Sequence, residues 1–311
     1  HIEADRTVTF HLGKPGHHLG VGPDACGVVS VHDIGLEGGD PIMHVLDRSD
    51  LVVPRRDRRT HKWSAGAVAT IGGVSGLTGA ALFAARSALR AGAGVSTLLT
   101  TADTDVTYEM LAPEITTMQA SEAPSWRDHA SEVLALLGRF DTLIVGPGLE
   151  PAPVEFVERL LRSFGGSMVL DAGALGAITD FGVLYERTHP TVLTPHAGEF
   201  RRLSDSEPTV DNARRVAIAS GSVVVLKGNP TLVVGRRTTI IDRGGPELAT
   251  IGTGDVLSGI IGALLARGVD AEDAAATGAW IHGAAGESLA AYRTVTADAL
   301  VDEVAREMAR L

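Results

Sequence analysis

The chain has 311 residues, of which 44% are hydrophobic and 4% aromatic, with 37 glycines and a formal net charge of −11. This length and composition fit one large α/β unit with a smaller appendage, rather than a coiled coil or a disordered chain. The negative charge and the lack of a long basic stripe argue against a nucleic-acid partner, because such binding depends on clustered cations.

The opening of the chain predicts a small β appendage followed by a linker. Two short apolar runs, Thr7 to Phe10 and Gly27 to Val31, are predicted as strands that could not fold alone. Four arginines crowd around Pro54 between Asp47 and His61 without helical or strand periodicity, which favours a solvated linker over a binding patch. The chain therefore divides into three predicted parts, an appendage at residues 1–45, a linker at 46–61 and a main domain at 62–311.

From Lys62 onward, short apolar strands alternate with helical stretches, which is typical of a mostly parallel central sheet with helices on both faces. The predicted strands are Ala67 to Ile71, Val95 to Leu99, Thr142 to Val145, Met168 to Leu170, Val192 to Leu193 and Val223 to Leu226, followed by a hairpin of Thr231 to Val234 with Thr239 to Ile241. The predicted helices are Thr78 to Ala91, Trp126 to Gly138, Val154 to Ser163, Asp211 to Ala219, Asp255 to Ala266, Ala271 to Leu289 and Ala297 to Leu311.

A glycine-rich turn, Gly252-Thr253-Gly254-Asp255, runs directly into an apolar helix. The first N–H groups of a helix have no intrahelical acceptor, so glycines there let them approach a phosphate, and the helix dipole favours negative charge. Asp255 is then either an ordinary helix cap or a base that takes a hydroxyl proton beside the phosphate. Taken alone, this short motif favours the cap.

Other loops follow predicted strands at the same edge of the sheet. The segments Lys227-Gly228-Asn229-Pro230-Thr231, Thr194 to Glu199 and Gly146-Pro147-Gly148 each follow a strand, as do Asp171 and Gly72-Gly73. Ligands bind at the carboxyl ends of the strands in open α/β sheets, so these loops and the glycine-rich turn should converge on one crevice.

A series of motifs runs from residue 62 to 311. The motifs are Lys62-Trp63-Ser64-Ala65-Gly66, Gly79-Ala80 with Arg90-Ala91-Gly92-Ala93-Gly94, Pro113-Glu114, Gly146-Pro147-Gly148-Leu149, Thr194-Pro195-His196-Ala197-Gly198-Glu199, Lys227-Gly228 and the Asp255 turn. Their order resembles the NAD(P)H-hydrate dehydratases, and the Asp255 turn resembles the anion hole and catalytic Asp of ribokinase-like enzymes. The resemblance implies a ribokinase-like layered fold.

The appendage, with Thr7-Val8-Thr9-Phe10 and Val31-His32-Asp33-Ile34-Gly35, is similar to the end of the NAD(P)H-hydrate epimerase domain that precedes this dehydratase in many bacteria. Only the last two strands of that domain are matched. We therefore expect a remnant, as in a fragment or a degenerate fusion, without epimerase activity.

The resemblance implies a repair reaction in which hydrated NADH or NADPH, called NADHX and NADPHX, is dehydrated at the expense of ADP or ATP. A base that directs the ring hydroxyl onto the terminal phosphate converts a poor leaving group into a good one. Asp255 is the implied base, and the N–H groups of Gly252, Thr253 and Gly254 hold the charge of the transferred group. Mg²⁺ is expected to bridge the phosphates, held by them and by water. The family likeness also implies a homo-oligomer such as a tetramer.

Residue by residue, the resemblance assigns two sets of contacts. Those with the nucleotide are Lys227, Gly228, Asn229, Pro230, Thr231 and Gly254, and those with the hydrated dinucleotide are Ala80, Gly148, His196 and Asp255. The alternatives are a surface charge for Lys227, a structural histidine that caps a strand end for His196, and a helix-start charge for Glu199.

Two positions depart from the family pattern. Gly173 stands where the family usually carries an Asp, and Glu150 stands where a Gly is common. Neither change touches Asp255, so we expect activity to survive and leave open the effect on substrate affinity and specificity.

Two other classes of function stay open. A ribokinase-like kinase acting on a vitamin-type alcohol would leave a stable phosphorylated product. A catalytically silent nucleotide-binding or scaffolding remnant would show no turnover, and replacing Asp255 would change nothing.

The single cysteine, Cys26, argues against an intramolecular disulfide and a site of several thiolates, and it fits a reducing compartment. The most apolar helix candidate, Val256 to Ala266, is shorter than the roughly 20 residues that span a bilayer, and the first residues lack a signal-like apolar core. We therefore expect a cytoplasmic protein with small-molecule partners and no contact with membranes.

Overall fold

The computed structural model describes residues 2–101, 103–121, 126–150 and 152–311. The strands are β1 (Arg6–Phe10), β2 (Val28–His32), β3 (His44–Val45), β4 (Ala67–Ile71), β5 (Val95–Thr101), β6 (Thr116–Ser121), β7 (Thr142–Val145), β8 (Ser167–Leu170), β9 (Thr191–Leu193), β10 (Val223–Leu226), β11 (Thr231–Val234) and β12 (Thr238–Ile241). The helices are α1 (Pro15–His18), α2 (Gly22–Ala25), α3 (Thr78–Arg90), α4 (Asp105–Leu111), α5 (Ala130–Leu136), α6 (Val154–Ser163), α7 (Gly173–Gly176), α8 (Phe181–Tyr185), α9 (Ala197–Ser204), α10 (Val210–Ser220), α11 (Thr253–Ala266), α12 (Ala271–Ala290) and α13 (Ala297–Arg310).

The main sheet has the strand order β3-β12-β11-β10-β9-β8-β7-β4-β5-β6. All neighbours from β10 across to β6 run parallel. Strand β11 is antiparallel to both β10 and β12, while β3 pairs parallel with β12. The predicted mostly parallel sheet is therefore confirmed, with the predicted hairpin as β11 and β12.

Successive side chains of the strands point to opposite faces of the sheet and build two cores. Val68 and Ile144 face the layer formed by α3, α11, α12 and α13. Leu143 and Val145 face the layer formed by α5, α6, α8 and α10. Because both faces are covered, the central strands are continuous apolar runs, as parallel strands require.

Helix α11 is buried along most of its length between the sheet, α3, α12 and α13. It approaches α3 closely at Gly259, where a Cβ atom would lie 1.9 Å from Ser87 Oγ and 2.1 Å from the Ala84 carbonyl oxygen. Ser87 Oγ also donates to the Val256 carbonyl oxygen at 2.9 Å. The close approach of these two helices therefore requires glycine at position 259.

The appendage and the linker segment differ in how they meet the main domain. Strands β1 and β2 pair parallel as a separate small sheet, so both predicted strands are present with bounds shifted by one residue. Strand β3 instead joins the main sheet beside β12, a pairing that the sequence does not predict. In the segment 46–61, Arg58 and Arg59 are exposed, whereas Leu51 and Val53 pack against the main core.

Several elements differ from their predictions. The predicted helix Trp126 to Gly138 is wrong at its start, because the residues before Ala130 form a turn in which the His129 N–H donates to the Trp126 carbonyl oxygen. Helix α11 begins at Thr253, two residues before its predicted start. Helix α4 and strand β6 have no counterpart in the prediction. None of the helices within the described residues has the length and apolarity needed to cross a membrane.

Candidate active site

The loops that follow β9 and β10 come together at the carboxyl edge of the sheet. The Lys227 N–H donates to the Pro195 carbonyl oxygen at 2.9 Å, and His196 forms a parallel bridge with Lys227. Beside them lies a cavity of about 700 Å³ that reaches the turn before α11 and the middle of α12. The predicted site residues in its wall are His196, Lys227, Gly228, Asn229, Thr231, Thr253 and Gly254. Pro230, Gly252 and Asp255 are chain neighbours of these residues.

The turn before α11 has a backbone conformation that favours glycine. Gly252 is left-handed, with a φ of +91°, and it caps the helix that begins at Thr253. A Cβ atom at Gly252 would lie 2.8 Å from Ala297 Cβ and 3.1 Å from the Phe83 ring. Asp255 therefore lies within the first turn of α11, which corrects the interpretation of this residue as the cap.

The amino end of α11 has the features of an anion-binding site. Thr253 Oγ1 lies 2.8 Å from the carbonyl oxygens of both Leu248 and Thr250, which ties the turn to the preceding segment. N–H groups in a first helical turn have no intrahelical acceptor, so those of Gly254 and Asp255 are available to a phosphate. The predicted set was Gly252, Thr253 and Gly254, but the Thr253 N–H donates to the Thr250 carbonyl oxygen at 3.4 Å. The helix dipole adds a partial positive charge at the same point.

A charge cluster lies next to this turn. Lys227 Nζ is 2.8 Å from Asp171 Oδ1 and 3.7 Å from Glu199 Oε2, and the side chains of Asp171 and Glu199 are only 2% and 10% exposed. Burial by itself lowers the pKa of Lys227, but the charges of Asp171, Glu199 and Asp255 outweigh it and raise the pKa. These interactions favour the protonated form of Lys227, and the alternative of a free surface charge is not what the structure shows.

Asp255 has the electrostatic setting of a general base. Burial is the main cause that raises the pKa of its carboxyl to about 7, and the charges of Asp171 and Glu199 raise it further against the lowering effect of Lys227. A base is most effective when its pKa lies near the working pH, because it is then both available and strong enough to take a proton. Both the position of Asp255 and its raised pKa therefore suit the role of a general base.

His196 and Glu199 form a capping box at the start of α9. His196 Nδ1 accepts hydrogen bonds from the Gly198 and Glu199 N–H groups at 2.9 and 3.2 Å, while Glu199 Oε2 accepts one from the His196 N–H at 2.8 Å. His196 is thus a capping residue, but it caps the start of helix α9 and not the end of a strand as the alternative had it. Its ring also lines the 700 Å³ cavity, so the cap leaves a ligand contact available.

Ala80 and Gly148 lie together, apart from the cavity wall described above. A Cβ atom at Gly148 would lie 3.2 Å from Ala80 Cβ and 2.4 Å from the Leu77 carbonyl oxygen. The Gly148 carbonyl oxygen accepts a hydrogen bond from the Val74 N–H at 2.9 Å, which joins this pair to the loop after β4. Their predicted contact with the dinucleotide stays a prediction.

The two departures from the family pattern lie side by side. Gly173 and Glu150 both line a second cavity of about 440 Å³, together with Glu199. A Cβ atom at Gly173 would lie 1.7 Å from the Leu149 carbonyl oxygen and 3.2 Å from Glu150 Cγ. This backbone therefore has no room for an Asp at position 173.

Three polar residues of the site were not assigned a role from the sequence. Ser258 Oγ donates to Asp171 Oδ2 at 2.6 Å, so Asp171 contacts α11 as well as Lys227. His282 Nε2 lies 2.8 Å from the Thr253 carbonyl oxygen, and burial lowers the pKa of His282 to about 4, so the ring is neutral. The sequence signals for these roles were Ser258, a single hydroxyl within the apolar run of α11, and His282, a single histidine in α12.

The arrangement of donors also bears on metal binding. Across the ranges that the structure describes, no group of three or more His, Cys, Asp or Glu side chains is arranged to hold a metal ion. Asp171 and Glu199, the buried carboxylates beside the anion site, are engaged by Lys227. These two carboxylates are therefore already paired with a cation of the protein itself.

Comparison with known proteins points to one family. The family model described as NAD(P)H-hydrate dehydratase matches residues 68–307. The bifunctional NAD(P)H-hydrate repair enzyme of Moorella thermoacetica is 38% identical over 94% of this chain, and that of Escherichia coli is 34% identical over 93%. The chain spans 59% and 57% of the lengths of these two relatives.

Solved structures agree with the sequence comparisons. The ADP/ATP-dependent NAD(P)H-hydrate dehydratase from Bacillus subtilis, co-crystallized with ATP/Mg²⁺, is 28% identical with a TM-score of 0.69, covering 83% of this chain and 94% of that one. A ribokinase-like superfamily protein from Enterococcus faecalis is 24% identical with a TM-score of 0.77, covering 88% of this chain and 98% of that one. The predicted ribokinase-like layered fold is thereby confirmed.

Proposed function

This chain belongs to the NAD(P)H-hydrate dehydratase family, and from that premise we propose that it dehydrates NADHX or NADPHX at the expense of ADP or ATP. The observation that carries the proposal is the position of Asp255 in the first turn of α11, beside both the anion-binding amides and the partly buried Lys227. A carboxyl with a pKa of about 7 at that point is suited to take the proton of a substrate hydroxyl.

The nucleotide occupies the 700 Å³ cavity, with its terminal phosphate at the amino end of α11. Gly228, Asn229 and Thr231 form the wall of that cavity on the side of β10 and β11, where the rest of the nucleotide lies. Lys227 contributes its charge from the edge of the wall while it remains paired with Asp171.

The reaction begins when Asp255 takes the proton of the ring hydroxyl. The hydroxyl oxygen then bonds to the terminal phosphorus, and the bond from that phosphorus to the remaining nucleotide breaks, which releases AMP from ADP or ADP from ATP. The N–H groups at the start of α11 hold the charge on the transferred group. Inorganic phosphate then departs with the electrons of the C–O bond, and a neighbouring ring carbon loses a proton to the departing phosphate, which restores the reduced nicotinamide.

Mg²⁺ would accompany the nucleotide and offset part of its phosphate charge. Because Asp171 and Glu199 are paired with Lys227, phosphate and water would supply the ligands of the ion. A homo-oligomeric assembly and a cytoplasmic location stay predictions.

A turnover assay tests the proposed function. The protein is incubated with NADHX or NADPHX, Mg²⁺ and either ADP or ATP, and we expect the absorbance of the reduced nicotinamide to return. Excess chelator should stop that recovery. A stable phosphorylated alcohol without recovery would indicate a kinase instead, and the absence of both products at every nucleotide would contradict an enzymatic role.

A further inference from the structure

The carboxylate of Asp171 is buried at the end of β8 and has three hydrogen-bonding partners. Oδ1 accepts from Lys227 Nζ at 2.8 Å and from the Ala172 N–H at 2.9 Å. Oδ2 accepts from Ser258 Oγ at 2.6 Å. With an exposed fraction of 1% for the residue, these partners and not water compensate its charge.

These contacts join three separate elements at one point. Lys227 follows β10, Ser258 lies one turn beyond Asp255 on α11, and Asp171 itself follows β8. Ser258 Oγ also lies 3.3 Å from the Gly254 carbonyl oxygen, and a Cβ atom at Gly254 would lie 3.3 Å from Lys227 Nζ. The Asp171 carboxylate therefore fixes where the ammonium and the first turn of α11 stand relative to each other.

Stability alone is a weak explanation for such a group. Buried ion pairs seldom improve on well-packed apolar side chains, because taking charges out of water offsets most of their attraction. A carboxylate shared by several hydrogen-bonding partners does, however, fix the positions of those partners relative to one another. Reaction rates are sensitive to displacements of about 1 Å at the reacting groups.

We propose that Asp171 is a positioning residue for the reaction, and that its two oxygens set the relative placement of Lys227, the phosphate-binding amides and Asp255. This inference rests on the proposed function of the site. It assigns Asp171 no contact with substrate, since its oxygens are engaged by Lys227, Ala172 and Ser258.

The proposal has a consequence for the pH dependence of the rate. The charged groups that act on Asp255 are Asp171, Glu199 and Lys227, while His282 on α12 is neutral. Replacing Asp171 by Asn removes one like charge and frees Lys227 for the remaining carboxylates, and both changes lower the pKa of Asp255. The rise of kcat with pH should then occur at lower pH than in the parent.

The experiment compares Asp171→Asn and Ser258→Ala with Asp180→Asn. Asp180 is an exposed helix cap that accepts from the Gly182 N–H, and Asn can replace it there. We expect Asp171→Asn to lower kcat on the order of 10²-fold and to move the acid limb of the kcat profile to lower pH. Ser258→Ala should lower kcat about tenfold with KM and Tm near the parent values. Asp180→Asn should change none of these quantities.

The outcomes separate positioning from structural support. Loss of kcat in Asp171→Asn together with a lower Tm and an unmoved acid limb would mean that the residue serves stability only. If Asp171→Asn does not fold, the Ser258→Ala variant becomes the test of the proposal. An unchanged kcat in Ser258→Ala would then contradict it.

A parent without turnover would overturn the proposed function and not this inference. The affinity for Mg²⁺–ADP, measured by calorimetry, then replaces kcat as the readout. A tenfold or larger loss of affinity in Asp171→Asn but not in Asp180→Asn supports positioning of the anion site. Equal affinities in parent and both variants refute it.

Discussion

The protonation of Asp255 sets the working pH of the proposed reaction. Because the base must be ionised to take a proton, kcat should rise as pH increases through about 7, the pKa that burial and the neighbouring carboxylates give this residue. Asp255→Asn should lower kcat by at least about 10²-fold without weakening the binding of Mg²⁺–ADP. Turnover and calorimetric titration measure the two effects, with Asp242→Asn, an exposed aspartate, as the control. A variant that keeps most of its turnover would remove Asp255 from the mechanism.

The same residue makes stability depend on pH. The folded pKa of Asp255 is about 7 and its ordinary value is 3.8, so the folded state holds this proton more tightly than the unfolded chain. Its contribution to stability is present below the ordinary pKa and is lost as pH rises through about 7. We therefore expect Asp255→Asn to match the parent in Tm near about pH 4 and to exceed it near about pH 8. A Tm difference that stays constant across this range would contradict the shifted pKa.

Among the elements, the turn into α11 depends most directly on its first glycine. Gly252→Ala places a left-handed alanine against Ala297 and Phe83, whereas Gly268, left-handed at the other end of α11, has open space around it. Gly268→Ala should lower the free energy of unfolding by about 1 kcal/mol through backbone strain alone. Gly252→Ala should lower it by about 2–4 kcal/mol, because overpacking adds to the strain.

Denaturant titration and binding of Mg²⁺–ADP distinguish the two glycine variants. Only Gly252→Ala should weaken nucleotide binding, since it displaces the amides that receive the phosphate. Equal losses of stability in both variants, or unchanged nucleotide affinity in Gly252→Ala, would argue against a tightly packed anion-binding turn.

The sequence predicts the central elements well and the peripheral ones poorly. Strands β4 and β7 match their predictions residue for residue, because buried parallel strands are short apolar runs bounded by turn residues. Strand β6, with the run Thr-Thr-Met-Gln-Ala-Ser, lies at the edge of the sheet and lacks that signal. The two-residue strand β3 is recognisable only from its partner, β12.

The features of the site also differ in how well the sequence predicts them. The Gly252 turn is local, so its sequence already predicts an anion site. The contacts of Asp171 with Lys227 and Ser258 span 56 and 87 residues, and they depend on the order of strands in the sheet, which residue spacing does not encode. The clash at Gly173 with the Leu149 carbonyl oxygen is likewise a property of two loops brought together by folding.

At the scale of the whole molecule, the boundary between appendage and main domain can be tested by truncation. Removing residues 1–42 deletes β1 and β2 and a few peripheral contacts, such as that of the Ile42 carbonyl oxygen with Arg214. We expect turnover to persist and Tm to fall by no more than about 4 °C. Removing residues 1–53 should be far more damaging, because it deletes β3 and the core contacts of Leu46 and Val53. Thermal unfolding of both truncated proteins tests this expectation. A large fall in Tm on removal of residues 1–42 would show that the appendage is part of the folded unit.

The enclosure of α11 determines what kind of catalyst this fold can be. Helix α11 is packed against the sheet and three other helices, and there is no space for a side chain at Gly259. This packing fixes the position of the helix. Its amides are therefore oriented before any ligand arrives, and the entropy of ordering them is lost when the chain folds and not again at each catalytic cycle. Ile251 is exposed at the rim of the cavity, so we expect mutations there to alter the rates of nucleotide entry and release while leaving phosphate binding intact.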